Sequence, residues 1–332
     1  MEAGRRGAVA ESSDPRVPQD HPKISRYEPA GSGRRPSWHS PIGSGRIVAS
    51  VPAIPLEILD CSIYLYPSQD AAEAGEQTGG SGFLVFVGLS GYEAGTFYAV
   101  TNTHVVGMGC TTVRLNTTDG GHAIVTVDDH HWFRHPDGDD VSVAEVTLTS
   151  DFRFKAISTD SFLDGLDPTY FTVGQEVFMV GRYVNHEGRQ RNNPTARFGH
   201  IAHLPYEPIR TSAGIEQEGF LVDMRSLAGY SGSPVFVYRA RTDLTTDVER
   251  WVTGFEQRFL GIDFGHLPSY GKVLDEHRVP MTPTRWAEQN SGVAAVIPAW
   301  RILQLLFDDE DVVAKRERGE HEWLSEHGAA GA

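Results

Sequence analysis

The stretch GYSGSPVF (Gly229–Phe236) sets Ser231 between two glycines, ahead of an apolar, β-branched run. A serine hydroxyl attacks an acyl carbon only when a base takes its proton and an acid holds that base in the right tautomer. One candidate base is His104 in YAVTNTHVV, directly after an apolar segment. A candidate acid lies in DDHHWFRHPDGDDVSVAEV (Asp128–Val146), where Asp140 opens the alternating run Asp140-Val141-Ser142-Val143. Taken singly, each has a plainer reading. Glycine, serine and proline are ordinary turn residues, and a lone histidine beside a strand is more often structural than catalytic.

Two rival chemistries fit less well. His130, His131 and His135 could be taken for metal ligands. However, His130 and His131 are adjacent, so an extended chain would turn them to opposite faces. No HExxH helix or cysteine set accompanies them, so neither a metal nor a cofactor is expected. The G-x-S-x-G elbow of the α/β-hydrolases fails at Ser233, where its second glycine should stand, and SPVFVY reads as strand instead of helix.

The elements that must position these residues are short and β-rich. SIYLYP, SGFLVFVGL, TFYAVTN, HAIVTVD and DVSVAEVTL form a first group of strands between Ser62 and Leu148. QEVFMVGRYV, TARFGHIAHL, GFLVDM, SPVFVYRA, RFLGIDFG and GVAAVIP form a second. That makes two groups of roughly six strands, with no βαβ alternation to suggest a parallel sheet. AWRILQLLF (Ala299–Phe307) reads as a helix, with Trp300, Leu303 and Phe307 at helical spacing, packing on the second β unit. The expected division is a disordered tail over 1–48, β units over 49–165 and 166–298, and a helix with a charged tail over 299–332.

Composition narrows the partners. The 332 residues are 39% hydrophobic and 22% charged, with a formal net charge of -15. Residues 1–46 hold eight Lys and Arg against five Asp and Glu, so the remainder carries -18. Such a body repels nucleic-acid phosphates and anionic membranes, so neither is an expected partner. Cys61 and Cys110 are the only cysteines, too few for a disulfide framework. The N-terminus lacks the apolar stretch of a secretory signal, so a reduced, cytoplasmic location is expected.

Together these residues resemble the chymotrypsin-like serine endopeptidases, especially the bacterial trypsin-like peptidase domains without disulfides. GGSGFLV looks like the family's strand leading to the catalytic histidine, and TNTHVV matches its T-x-x-H segment. HPDGDDVSV resembles the segment ending in the catalytic acid, and GYSGSPVF matches the G-x-S-G-(G/S)-P block. The resemblance covers about residues 55–307, and the order His104, Asp140, Ser231 is the family's order. It implies an all-β fold of two six-stranded antiparallel β-barrels with a C-terminal helix. It also implies hydrolysis of protein or peptide substrates through an acyl-enzyme. His104 would be the base, Asp140 and not Asp139 the orienting acid, and Ser231 the nucleophile. The N–H groups of Gly229 and Ser231 would form the oxyanion hole. By strand phase, substitution of Asp139 should be much milder than that of Asp140.

Departures from the family pattern raise further expectations. Arg225, six residues before Ser231, falls at the position that forms the base of the specificity pocket in secreted relatives, and Asp263 or His266 could line that pocket instead. Tyr230 stands where digestive relatives carry the aspartate that pairs with a newly cut amino terminus, so no such maturation is expected, with Arg46-Ile47-Val48 a possible exception. A regulatory partner is possible, but no residue points to one. The alternative from a different class is a protease-fold binding module that has lost its activity. An intact triad argues against it.

Overall fold

The computed structural model describes residues 54–166, 171–184, 188–210, 216–225, 229–242, 253–279, 281–282 and 284–327. The tail expected over 1–48, and with it Ile47, lies outside them.

The first unit is built from β1 (Ser62–Tyr66), β2 (Gly80–Gly88), β3 (Gly95–Thr101), β4 (Thr112–Thr117) and β5 (His122–Thr126). β6 (Phe133–Arg134), β7 (Ser142–Glu145), β8 (Phe152–Arg153) and β9 (Ile157–Ser158) complete it. Most are rich in the β-branched and aromatic residues that fit a pleated surface. Helix α1 (Gln69–Ala74) follows β1, with Ser68 Oγ accepting the Ala71 N–H and Gly75 closing it at φ +66°. Strand β4, TVRLNT, escapes the sequence pattern because Arg114 interrupts its apolar run. Arg114 is fully buried all the same, and its guanidinium donates to Ala72 O, Gly188 O and Asn192 Oδ1 at 2.9–3.0 Å.

The second unit comprises β10 (Glu176–Gly181), β11 (Thr195–His203), the small pair β12 (Ile209–Arg210) and β13 (Glu216–Gln217), and β14 (Phe220–Asp223). The long strands β15 (Pro234–Thr242), β16 (Thr253–Lys272) and β17 (Trp286–Pro298) follow. Here six strands close in the order β10-β11-β14-β17-β16-β15. The expectation of two closed barrels is corrected in the first unit. The path of its nine-stranded sheet is β5-β4-β1-β2-β3-β7-β6, with β8 paired to β4 and β9 to β2, and it stays open between β5 and β6 among the described residues. The two-residue β6 spends its ladder on β7 and is too short to bridge to β5.

Helix α3 (Ala299–Phe307) follows β17 directly, and α4 (Glu310–His327) follows α3. The buried face of α3 is Ala299, Ile302, Leu305 and Leu306, whereas Phe307 is exposed and Trp300 and Leu303 are only partly covered. That face shares one core with Val100, Val141 and Val143 of the first unit and with Phe236, Phe259 and Ile262 of the second. The helix therefore packs between the units and not on the second alone. Helix α4 reaches back to the first unit, where Trp323 meets Tyr92 and Lys315 lies 3.6 Å from Glu145. Among the described residues, no helix is long and apolar enough to cross a membrane.

Candidate active site

His104 sits in the short helix α2 (Thr103–Gly107), which begins two residues after β3 ends. Its Nδ1 stands 2.6 Å from Asp140 Oδ2, and its backbone N–H donates to Asp140 Oδ1 at 2.8 Å. A carboxylate only accepts, so this pairing places the imidazole proton on Nδ1 and leaves the Nε2 lone pair free. The histidine side chain is 42% exposed, open enough to meet a substrate. Asn102 Nδ2 donates to the Asp140 carbonyl at 2.8 Å, and Thr103 Oγ1 lies 2.9 Å from Ser142 Oγ. These bonds tie the histidine turn to the acid and to the strand that follows it.

Ser231 lies on a turn with Gly229 at φ +91° and Gly232 at φ +89°, backbone that L side chains rarely adopt. The turn is docked on β2 of the first unit. Ser81 N–H donates to Ser231 O at 2.9 Å, and Ser81 Oγ donates to Gly229 O at 3.0 Å while accepting the Arg182 N–H. A Cβ on Gly232 would lie 1.9 Å from Ser81 O, so only glycine permits this approach. Thr101 Oγ1 donates to the same carbonyl at 2.8 Å, and Thr101 ends the strand that leads to His104. The turn is thus docked beside the residues that lead to the base.

Ser231 is half-buried, whereas Ser233 is fully buried and packed so closely that a side chain on Gly181 would strike its hydroxyl. The bonds of the His104 side chain and N–H both go to Asp140, and among the described residues none joins His104 to Ser231 Oγ. The N–H groups of Gly229 and Ser231 likewise take no backbone acceptor there, while those of Gly232 and Ser233 bond Asp263 O and Tyr230 O at 2.8 Å.

Tyr230 is fully buried. Its hydroxyl lies 2.7 Å from Thr195 Oγ1, and the Arg197 guanidinium covers its ring at 4.7 Å. Tyr230 carries no charge of its own, so this position requires no buried ammonium partner.

The remaining site expectations fall into different places. Asp140 faces His104 and Asp139 faces away, both in the irregular chain just before β7. Asp139 is not a free bystander, however. It is buried, accepts from Gln217 Nε2 at 2.9 Å and pairs with Arg301 Nε. Its substitution therefore disturbs this network, a different consequence from the loss of the His104 partner at Asp140. Asp263 is fully buried, and its backbone holds Gly232 and Ser233. Arg225 is exposed, and His266 lies 4.0 Å from Glu288 on the neighbouring strand. His130 and His131 are not in extended chain. A 3₁₀ turn over Asp129–His131 brings their rings to 3.9 Å, and with Asp128 they form an exposed group of potential ligands. His135 is buried apart from them, and burial lowers its pKa, with the charge of Asp139 opposing. Ser81 lies in GGSGFLV and Arg301 in AWRILQLLF, but nothing in those runs, nor around Gln217, marked the three side chains as supports of the site.

No protein-family model matches the sequence, and no curated protein matches it. Among solved structures it is similar to the apo form of the MamO protease domain from Magnetospirillum magneticum, at 15% identity and a TM-score of 0.40. That match covers 75% of this chain and 97% of the other. Deg5 matches at 20% identity and a TM-score of 0.37, over 55% of this chain and 81% of its own. The HtrA-type protease AlgW with a decapeptide matches at 15% identity and 0.38, over 69% and 51%. These protease domains are what the chain is similar to, and the case for its activity rests on its own residues.

Proposed function

We propose that the chain is a serine endopeptidase that hydrolyses peptide bonds of protein substrates through an acyl-enzyme. The observation that supports this is the His104–Asp140 pair at 2.6 Å, with the turn of Ser231 docked on the strand beside it. Ser231 Oγ attacks the scissile carbonyl carbon, and its proton passes to His104 Nε2. The carbonyl oxygen, now an anion, is met by the N–H groups of Gly229 and Ser231. His104 then gives its proton to the leaving amine, which departs as the acyl-enzyme forms. Water, activated by the same imidazole, releases the acid product. Asp140 stays an acceptor throughout, holding the tautomer and stabilising the imidazolium. A cytoplasmic location belongs to the same proposal, and the two buried, unpaired cysteines fit it.

A second reading is a protease-fold binding module without activity. The missing hydrogen bond between Ser231 and His104 favours it, although such bonds are often long in a free enzyme and tighten with substrate. Turnover of a peptide library separates the two. Ser231→Ala should lower kcat by on the order of 10⁶, whereas Ser233→Ala should keep it, because Ser233 is sealed in the core. A wild-type chain with no turnover would favour the binding module, and the reverse ranking of the two serines would move the nucleophile.

A further inference from the structure

Asp140 is gripped at both ends of its own residue. Its carbonyl takes Asn102 Nδ2 from the first unit, and its N–H donates to Gln217 Oε1 at 3.0 Å from the second. The orientation of the Gln217 amide is set by what surrounds it. One end must accept from an N–H, and the other donates to Asp139 Oδ1 at 2.9 Å. Gln217 is buried, so no water replaces either bond cheaply. The second oxygen of Asp139 is held by Arg301 Nε, whose Nη2 reaches Asp137 Oδ2 at 2.8 Å. The preceding residue of α3, Trp300, donates to Glu218 Oε1 at 3.2 Å, beside Gln217.

We propose that Gln217 and Arg301 are positioning residues for Asp140, so that helix α3 holds the orienting acid in place. This rests on the endopeptidase reading. Neither side chain touches a reacting atom. Arg301 fixes Asp139, Asp139 fixes the Gln217 amide, and Gln217 fixes the backbone from which the Asp140 carboxylate reaches His104. A misplacement of about 1 Å at such a distance from the chemistry costs as much as 10²-fold. The fork of the guanidinium, engaging two carboxylates at once, is a geometry that lysine cannot copy.

The test measures kcat, KM and the rate of fluorophosphonate labelling for the full chain, with a thermal melt for every variant. Gln217→Glu is nearly isosteric and keeps an acceptor for Asp140 N–H, but it sets a carboxylate against Asp139. It should lower kcat and the labelling rate together by about tenfold to 10²-fold, with KM within about twofold. Arg301→Met should do the same, and Arg301→Lys should fall between it and wild type. If Arg301→Met does not fold, Gln217→Glu and Asp137→Asn carry the test, since Asp137 is exposed. A folded Gln217→Glu that labels and turns over like wild type overturns the inference alone, as does an Arg301→Met that lowers only the melting temperature. A wild-type chain that never labels overturns the endopeptidase reading and the inference with it.

Discussion

The loop bearing Asp140 and the turn bearing Ser231 are held by different sets of contacts, ion pairs figuring in the first and hydroxyl and backbone bonds in the second. Around the acid, the Arg301 guanidinium spans Asp137 and Asp139 with His135 buried alongside. Around the serine, the bonds run between hydroxyls and backbone groups, with the guanidiniums of Arg182 beside Gly229 and Arg197 over Tyr230. The bonds are those of the Ser81 hydroxyl and amide and of the Tyr230–Thr195 pair. Charged networks are strong only while every partner is present, and removal of one leaves a buried charge. Neutral contacts are individually weaker, so losing one is tolerated better. The site therefore combines an acid whose placement depends on a complete set of charges with a nucleophile whose placement is spread over many small contacts.

Three substitutions break or sharpen this contrast. Asp140→Asn has the largest expected effect, a loss in kcat of about 10⁴ with little change in fold, because the amide favours the wrong imidazole tautomer. Steady-state kinetics beside a thermal melt checks it, and a loss of activity that tracks lost structure would contradict it. Tyr230→Phe removes one neutral bond from the turn. It should lower stability by about 1 kcal/mol and leave kcat nearly unchanged. A large fall in kcat would mean that the turn depends on one contact after all.

The smallest effect concerns pH. Burial lowers the His135 pKa, while the unfolded value is about 6.5. The folded state then binds the proton less well than the unfolded chain. The associated stability is present above pH 6.5 and is lost as pH falls from there through the lowered value. Melts between pH 7.5 and 5 should show the loss, and His135→Gln should flatten it. An unchanged slope in that variant would remove His135 from the account.

How much of this was legible in the sequence follows from how each feature is encoded. Alternation says only that one of Asp139 and Asp140 can reach the base, and the choice of Asp140 rests on its place in the acid motif of the resemblance. The glycines around Ser231 announced a tight turn, and the structure supplies the reason, a carbonyl too near Gly232 for any side chain. Gln217 and Arg301 lie 77 and 162 residues from their partners in the acid loop. Nothing periodic marks a lone polar residue whose role depends on such a distant contact. Strand β4 was hidden by Arg114, whose burial is possible only because carbonyls from two other segments converge on it. The buried face of α3 was misread because both units cover it, which a pattern drawn for one surface cannot anticipate. Closure of the first sheet depends on how much ladder β6 can offer, a property of pairing and not of composition.

The central claim is that Ser231 is a working nucleophile activated by His104. The most direct measurement is intact-mass analysis of the folded chain after a fluorophosphonate, followed by peptide mapping. The account predicts one adduct, on Ser231, that disappears in Ser231→Ala and forms far more slowly in His104→Ala. A folded wild-type chain that takes no adduct, or takes it at another serine, would contradict it.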